Sequence, residues 1–200
     1  MKKIFLLITI LFVSVISTAC INNLAVQELN NKAKEYMANG ETEKAICRLR
    51  SSIDLDDSIF ETHYNLGVAL IENKDFKNAK ESLESAIKLK PDFADSYYSL
   101  AIAFENLADE IANKDKKDSD DENEESQAKT TILDETDKIK IVELLNSAIE
   151  NYNTYLVKKV DSDDEEKVSE QINYLNTEIN KYNTNSNTNV LEETKTQGED

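Results

Sequence analysis

The feature that most constrains this chain is a repetition at a step of 34 residues. Leu66-Gly67 and Leu70 recur as Leu100-Ala101 and Phe104, and one step back from Gly67 and Leu70 stand Ala33 and Tyr36. Ala45, Leu49 and Ser52 precede Ala79, Leu83 and Ala86 by the same interval, and Asp57 precedes Pro91. A unit recurring at such a period is one supersecondary element that buries its apolar face by stacking on its neighbours. Three glycines and one proline in 200 residues leave few breaks, so the elements expected are helices. With 40% hydrophobic residues and no tryptophan, the chain supplies one modest core, and a single all-helical domain is expected.

The breakers that remain have structural work to do. Gly67 and Ala33 are expected where the first helix of a unit crosses the second, since a side chain larger than methyl would push the axes beyond about 8–10 Å. Ala79 and Ala86 do the same from the facing helix. Pro91 stops the second helix, because it lacks an amide donor and disfavours helical geometry in the residue before it.

Residues 60–93, with Leu66, Gly67, Leu70, Ala79, Leu83, Ala86 and Pro91, resemble the tetratricopeptide repeat family, with His63 in place of the family's early bulky residue. Residues 26–59 are similar to it at Leu29, Ala33, Tyr36, Ala45 and Leu49, without the terminal proline. A third unit, 94–159, opens with Tyr97, Leu100, Ala101 and Phe104, and its second helix, KIVELLNSAIENYNTYL, arrives 28 residues late. The excess, 113–137, is dense in charge and reads as a disordered acidic insertion; one long helix over 94–159 is the competing reading. Val168, Ile172, Leu175, Ile179 and Tyr182 form one apolar stripe, which predicts an amphipathic helix over 162–183 capping the stack. Residues 184–200 read as a disordered tail. The resemblance implies an all-α fold of antiparallel helix-hairpin repeats, an α-solenoid of about three repeats plus a capping helix.

The first 19 residues, with Lys2 and Lys3, an apolar run from Ile4 to Ile16, then Ser17, Thr18 and Ala19, have the order of a secretory signal. That run is too short to cross a membrane. Ser17-Thr18-Ala19-Cys20 resembles the lipobox of bacterial lipoproteins, with Ser17 where leucine is usual. The resemblance implies lipidation, including palmitate, at Cys20, with 20–25 as the linker to the first repeat. Each buried CH₂ contributes about 0.8 kcal/mol, so several acyl chains hold the mature N-terminus on a membrane. An ordinary secreted protein with an incidental Cys20 is the alternative. The chain is then extracytoplasmic, in the cell envelope. Without Asp at position 21, the sorting rule of enteric bacteria implies the periplasmic face of the outer membrane in a Gram-negative cell. Cys47 has no intramolecular partner and is expected to pack as a small hydrophobe.

Lys and Arg number 23 against 40 Asp and Glu, and a net charge of −17 argues against nucleic-acid partners. His63 is the only histidine, so zinc sites and histidine-based triads have no materials, and no phosphate loop is present. No metal, cofactor or enzymatic activity is expected. The resemblance instead implies a protein or peptide partner, held in the concave groove that the first helices of the repeats line. Carried onto this chain, the groove positions are Gln27, Asn30, Asn31, Lys34 and Met37, then Glu61, Tyr64, Asn65, Val68 and Ile71, then Asp95, Tyr98, Ser99, Ile102 and Glu105. Asn30, Lys34, Tyr64, Asn65, Val68, Tyr98 and Ile102 are the partner-binding candidates. The family's clamp for a terminal carboxylate is matched at Asn65, but Asn30 and Lys34 stand in swapped order and Asp95 and Ser99 replace the basic pair, so no such clamp is expected. Other readings have Tyr64, Val68, Tyr98 and Ile102 packing on one another or on the chain's own ends, or mediating self-association. The function implied is a membrane-anchored adaptor; a structural part of an outer-membrane or pilus assembly complex is the alternative.

Overall fold

A computed structural model describes residues 23–114, 133–159 and 163–193, with side chains to 183. Among them are seven helices and no strand: α1 (23–38), α2 (Thr42–Leu55), α3 (Phe60–Glu72), α4 (Phe76–Leu89), α5 (Ala94–Ala112), α6 (Glu135–Lys158) and α7 (Glu165–Glu193). Where the sequence predicts one domain, the chain divides at its only proline into two compact units, ending at Pro91 and beginning at Asp92. In a repeat array each element packs only on its neighbours, so a single helix stop suffices to separate two clusters of contacts.

The first unit is two hairpins, α1–α2 and α3–α4, and their turns are copies of each other. Gly40 takes φ +73° after α1, its N–H donating to Met37 O at 3.0 Å and the Glu41 N–H to Tyr36 O at 2.8 Å. One period later Lys74 takes φ +60°, with its N–H on Ile71 O at 2.9 Å and the Asp75 N–H on Leu70 O at 2.8 Å. Both are left-handed helix ends of the Schellman type, in which two otherwise orphaned carbonyls gain donors. The second is built without the glycine that the geometry favours.

Ala33, Ala45, Leu49, Leu66, Leu70, Ala79, Leu83 and Ala86 are buried, so the periodic positions form the core of this unit. At Gly67 the crossing is tighter than the sequence suggests. A methyl built there lies 2.8 Å from Leu83 Cδ2 and closer still to Cγ, so the position excludes even alanine without movement of Leu83. The end of α2, which has no proline, is turned by Asp56: its Oδ1 accepts from the Ser58 N–H at 2.9 Å and the Ser58 hydroxyl at 2.6 Å. These bonds hold the Asp56 carboxyl below the usual carboxylate range, the hydroxyl contributing most. This Asx turn does for the first repeat what Pro91 does for the second.

In the second unit α5 and α7 both pack against α6. α5 ends at Ala112, which excludes one helix over 94–159. α6 starts at Glu135, inside the expected insertion, because the Asp134 carboxylate accepts from the Asp137 N–H at 2.7 Å and caps the helix three residues early. The rest of that acidic insertion, 115–132, lies outside the described residues, as do 1–22 with Cys20. Ile141, Leu145 and Ala148 are buried, as are Val168, Leu175 and Ile179 on α7. α7 continues to Glu193, ten residues into the segment expected to be disordered, since no glycine or proline interrupts 184–193. Cys47 is exposed rather than packed: α2 buries Ala45, Ile46, Leu49 and Ser52, and residue 47 falls outside that stripe. Among the described residues no helix is long and apolar enough to cross a membrane.

Candidate functional site

In the first unit a cavity of ≈ 300 Å³ opens between α1, the α2–α3 turn and α3. α1 contributes Asn23, Val26, Gln27, Asn30, Asn31 and Lys34; the turn contributes Asp56 and Ile59; α3 contributes Glu61 and Asn65. Residues three and four apart share a helix face, which is why 23, 27, 30, 31 and 34 line one wall. Of the partner-binding candidates, Asn30, Lys34 and Asn65 come together here, joined by the groove positions Gln27, Asn31 and Glu61. Tyr64 and Val68 are half-buried on α3 and do not line this cavity.

Asn30 has a second task. Its amide nitrogen lies 2.9 Å from Ser52 Oγ on α2, 2.9 Å from Thr62 Oγ1 on α3 and 3.0 Å from the Val26 carbonyl, while its buried Oδ1 has no hydrogen-bond partner. Ser52 and Thr62 are themselves fully buried. One side chain thus ties three helices through a buried polar network, the kind of connection whose loss leaves several groups unsatisfied at once. His63, two positions from Asn65, donates from Nε2 to the Asp57 carbonyl at 2.8 Å and steadies the same turn.

In the second unit Tyr98 lies beside Tyr152 and Tyr155 of α6, with ring centroids 5.6 and 5.1 Å away. A cavity of ≈ 200 Å³ is lined by Tyr98, Tyr152, Asp164, Lys167, Val168 and Gln171. Tyr98 remains 38% exposed. Ile102 is half-buried and does not line it, and Ser99, a predicted groove position, is buried. Behind the rings Glu105 Oε2 accepts from Gln171 Nε2 at 2.7 Å, a link between α5 and α7. Burial pushes the Glu105 carboxyl up, against the opposing effect of hydrogen bonds from Tyr152 and Gln171. Burial, and then the Glu105 carboxylate, push the Tyr152 phenol far above its ordinary value. Asp109 is likewise pushed up, by burial first and then by the Glu178 carboxylate. Repeat spacing places Tyr98 in a groove but assigns no role to Tyr152, Tyr155 or Asp164. The two tyrosines have a signal in NYNTY, where they stand three apart on one face of α6; Asp164 has none.

Among the described residues no three His, Cys, Asp or Glu side chains are grouped to hold a metal ion. The architecture is that of a scaffold of helical hairpins. Residues 60–93 match the family model of the tetratricopeptide repeat. Among solved structures, the first tetratricopeptide domain of Spaghetti (RPAP3) bound to HSP90 peptide SRMEEVD is similar at TM-score 0.56 and 14% identity, covering 78% of this chain and 94% of that one. The Arabidopsis OM64 tetratricopeptide domain is similar at TM-score 0.56 and 13% identity, over 76% and 96%. The second such domain of human RPAP3, in complex with an HSP70 peptide, is similar at 0.55 and 12%, over 78% and 98%. A search of curated proteins finds no match in sequence.

Proposed function

We propose that this chain is a membrane-anchored adaptor of the bacterial cell envelope that binds a segment of another protein, tethered through lipid on Cys20. The observation that carries the reading is the amide-lined cavity of the first unit. Asn23, Gln27, Asn31 and Asn65 line it with amide side chains, which carry both donors and an acceptor, the pairing that a peptide backbone requires; Gln27 Nε2 already donates to Asn23 Oδ1 at 2.9 Å, and the remaining donors and acceptors are left for a ligand. The fold neighbours bound to HSP90 and HSP70 peptides support a polypeptide as the ligand. The acidic peptide of the first neighbour is a poor fit here, because Lys34 is the only basic side chain lining the cavity and Asp56 and Glu61 oppose it.

The test is site-specific photocrosslinking in cells from position 31. A partner trapped by the parent chain and lost with Lys34→Glu and Asn65→Ala, helix content unchanged, supports the adaptor. A partner trapped equally by the substituted chain shifts the reading to a structural part of an assembly complex. The anchor is tested apart: Cys20→Ser abolishes radiolabelled palmitate incorporation and releases the chain from the membrane fraction, and unchanged labelling overturns the lipid assignment.

A further inference from the structure

We propose that the tyrosine-lined cavity of the second unit is a binding site for a cationic side chain, above all a guanidinium, presented by a basic segment of a partner protein. For its biological partner this rests on the adaptor reading; for binding itself it rests on the site alone.

Three observations carry it. The first is shape: Tyr98, still 38% exposed, and Tyr152 stand edge to face beside a cavity of ≈ 200 Å³. Aromatic faces attract cations through the ring quadrupole, and a planar guanidinium also stacks on them. The second is precedent within the cluster. Lys159 already lies over the Tyr155 ring, 5.2 Å from its centroid, while paired with Asp95 at 2.9 Å. The Tyr155 ring therefore takes a cation with a carboxylate beside it, and the exposed Tyr98 shares its cavity with Asp164, whose Oδ2 accepts from the Tyr155 hydroxyl at 3.4 Å and keeps further lone pairs for a guest. The third is charge. Asp164 lines the cavity, Glu105 lies behind Gln171, and the chain carries −17 overall, which steers basic partners toward it.

The local field agrees in sign. The Tyr98 phenol is pushed above its ordinary value by burial first, which disfavours charge of either sign, and then by Asp164, Tyr155 and Glu105; of these causes the carboxylates alone favour a cation in the same place. Lys167 is the one basic residue lining the cavity; its exposed ammonium opposes a cationic guest without contributing to the core. Asp164 and Lys167 therefore make opposite predictions; Asp164 also accepts from Tyr155, so the exposed Lys167 is the arm that a merely structural role would not move.

The experiment uses the full chain in non-ionic detergent, with its tyrosine rings ¹³C-labelled and the Tyr98 signals assigned through Tyr98→Phe. The probe is Nα-acetyl-arginine amide, with Nα-acetyl-citrulline amide as its neutral isostere. Saturable shifts at Tyr98 and Tyr152 with the arginine probe, none with citrulline, are expected. Asp164→Asn weakens binding about threefold and Lys167→Gln tightens it about twofold, the scale of one exposed charge pair. The proposal is overturned if arginine leaves the rings unmoved, if citrulline shifts them equally, or if the two substitutions change affinity in the same direction. A partner crosslinked from position 31 with no arginine binding would sink this site and leave the adaptor standing; arginine binding with no crosslinked partner would do the reverse.

Discussion

Gly67→Ala tests the central packing claim because two effects of similar size oppose each other. Alanine in a helix interior is worth about 1 kcal/mol over glycine, so at an open position the change would stabilise the protein. Here the added methyl would lie 2.8 Å from Leu83 Cδ2, with Leu83 fully buried and unable to leave without disturbing α4. Overpacking of this kind costs about 1–3 kcal/mol, so the net expectation is a loss of about 1 kcal/mol. For a chain of this length that lowers Tm by about 2–4 °C. Circular dichroism at 222 nm through thermal and urea transitions reads it. The partner substitution sharpens the test: Leu83→Ala costs about 2–5 kcal/mol alone, and less in the Gly67→Ala background, because the new methyl occupies part of the vacated space. A coupling of about 1 kcal/mol or more is expected from the double-mutant cycle. A Gly67→Ala protein more stable than the parent, with additive energies, would refute the close crossing.

Three further outcomes follow from the same geometry. Lys74→Gly raises stability by about 0.5–1 kcal/mol, since it relieves a left-handed residue at φ +60°; a lower urea midpoint would contradict this. Asn30→Leu costs about 1–3 kcal/mol by orphaning buried Ser52 and Thr62, and a neutral result would show that the network is not connected. Glu105 and Asp109 have raised folded-state pKa values, so the folded protein binds more protons than the unfolded chain just above the ordinary carboxylate range. Their contribution to stability is therefore fully present below that range and is lost as pH rises through the raised values, while Asp56, held low, contributes with the opposite sign at lower pH; Glu105→Gln removes part of the fall, and a Glu105→Gln urea midpoint with the parent's pH slope above the ordinary carboxylate range would contradict this.

Much of the fold is readable from spacing, because helix pairing imposes a period that small and large apolar residues must obey. Ala33, Gly67 and Ala101 mark the first helices, Leu49, Leu83 and Leu145 the second, and even the displaced α6 is recognisable from Ile141, Leu145 and Ala148. The candidate site is only partly readable. Asn30, Lys34 and Asn65 follow from repeat positions, but the Asp56 and Ile59 that close their cavity come from a turn, whose path depends on the Asx bonds to Ser58 rather than on any period.

The amino-acid order alone thus determined an all-helical array, its hairpins and most of its core, since burial at helical spacing is a local property of the chain. Tertiary packing decided what the periodicity does not encode. It determined that Gly67 excludes a methyl, that Asn30 serves the core as well as the cavity, that Cys47 faces outward, and that Tyr98 meets Tyr152 and Tyr155 from a helix more than fifty residues further along the chain. Such contacts depend on distances between helices and on the exact face each side chain occupies, which residue spacing along one helix does not specify.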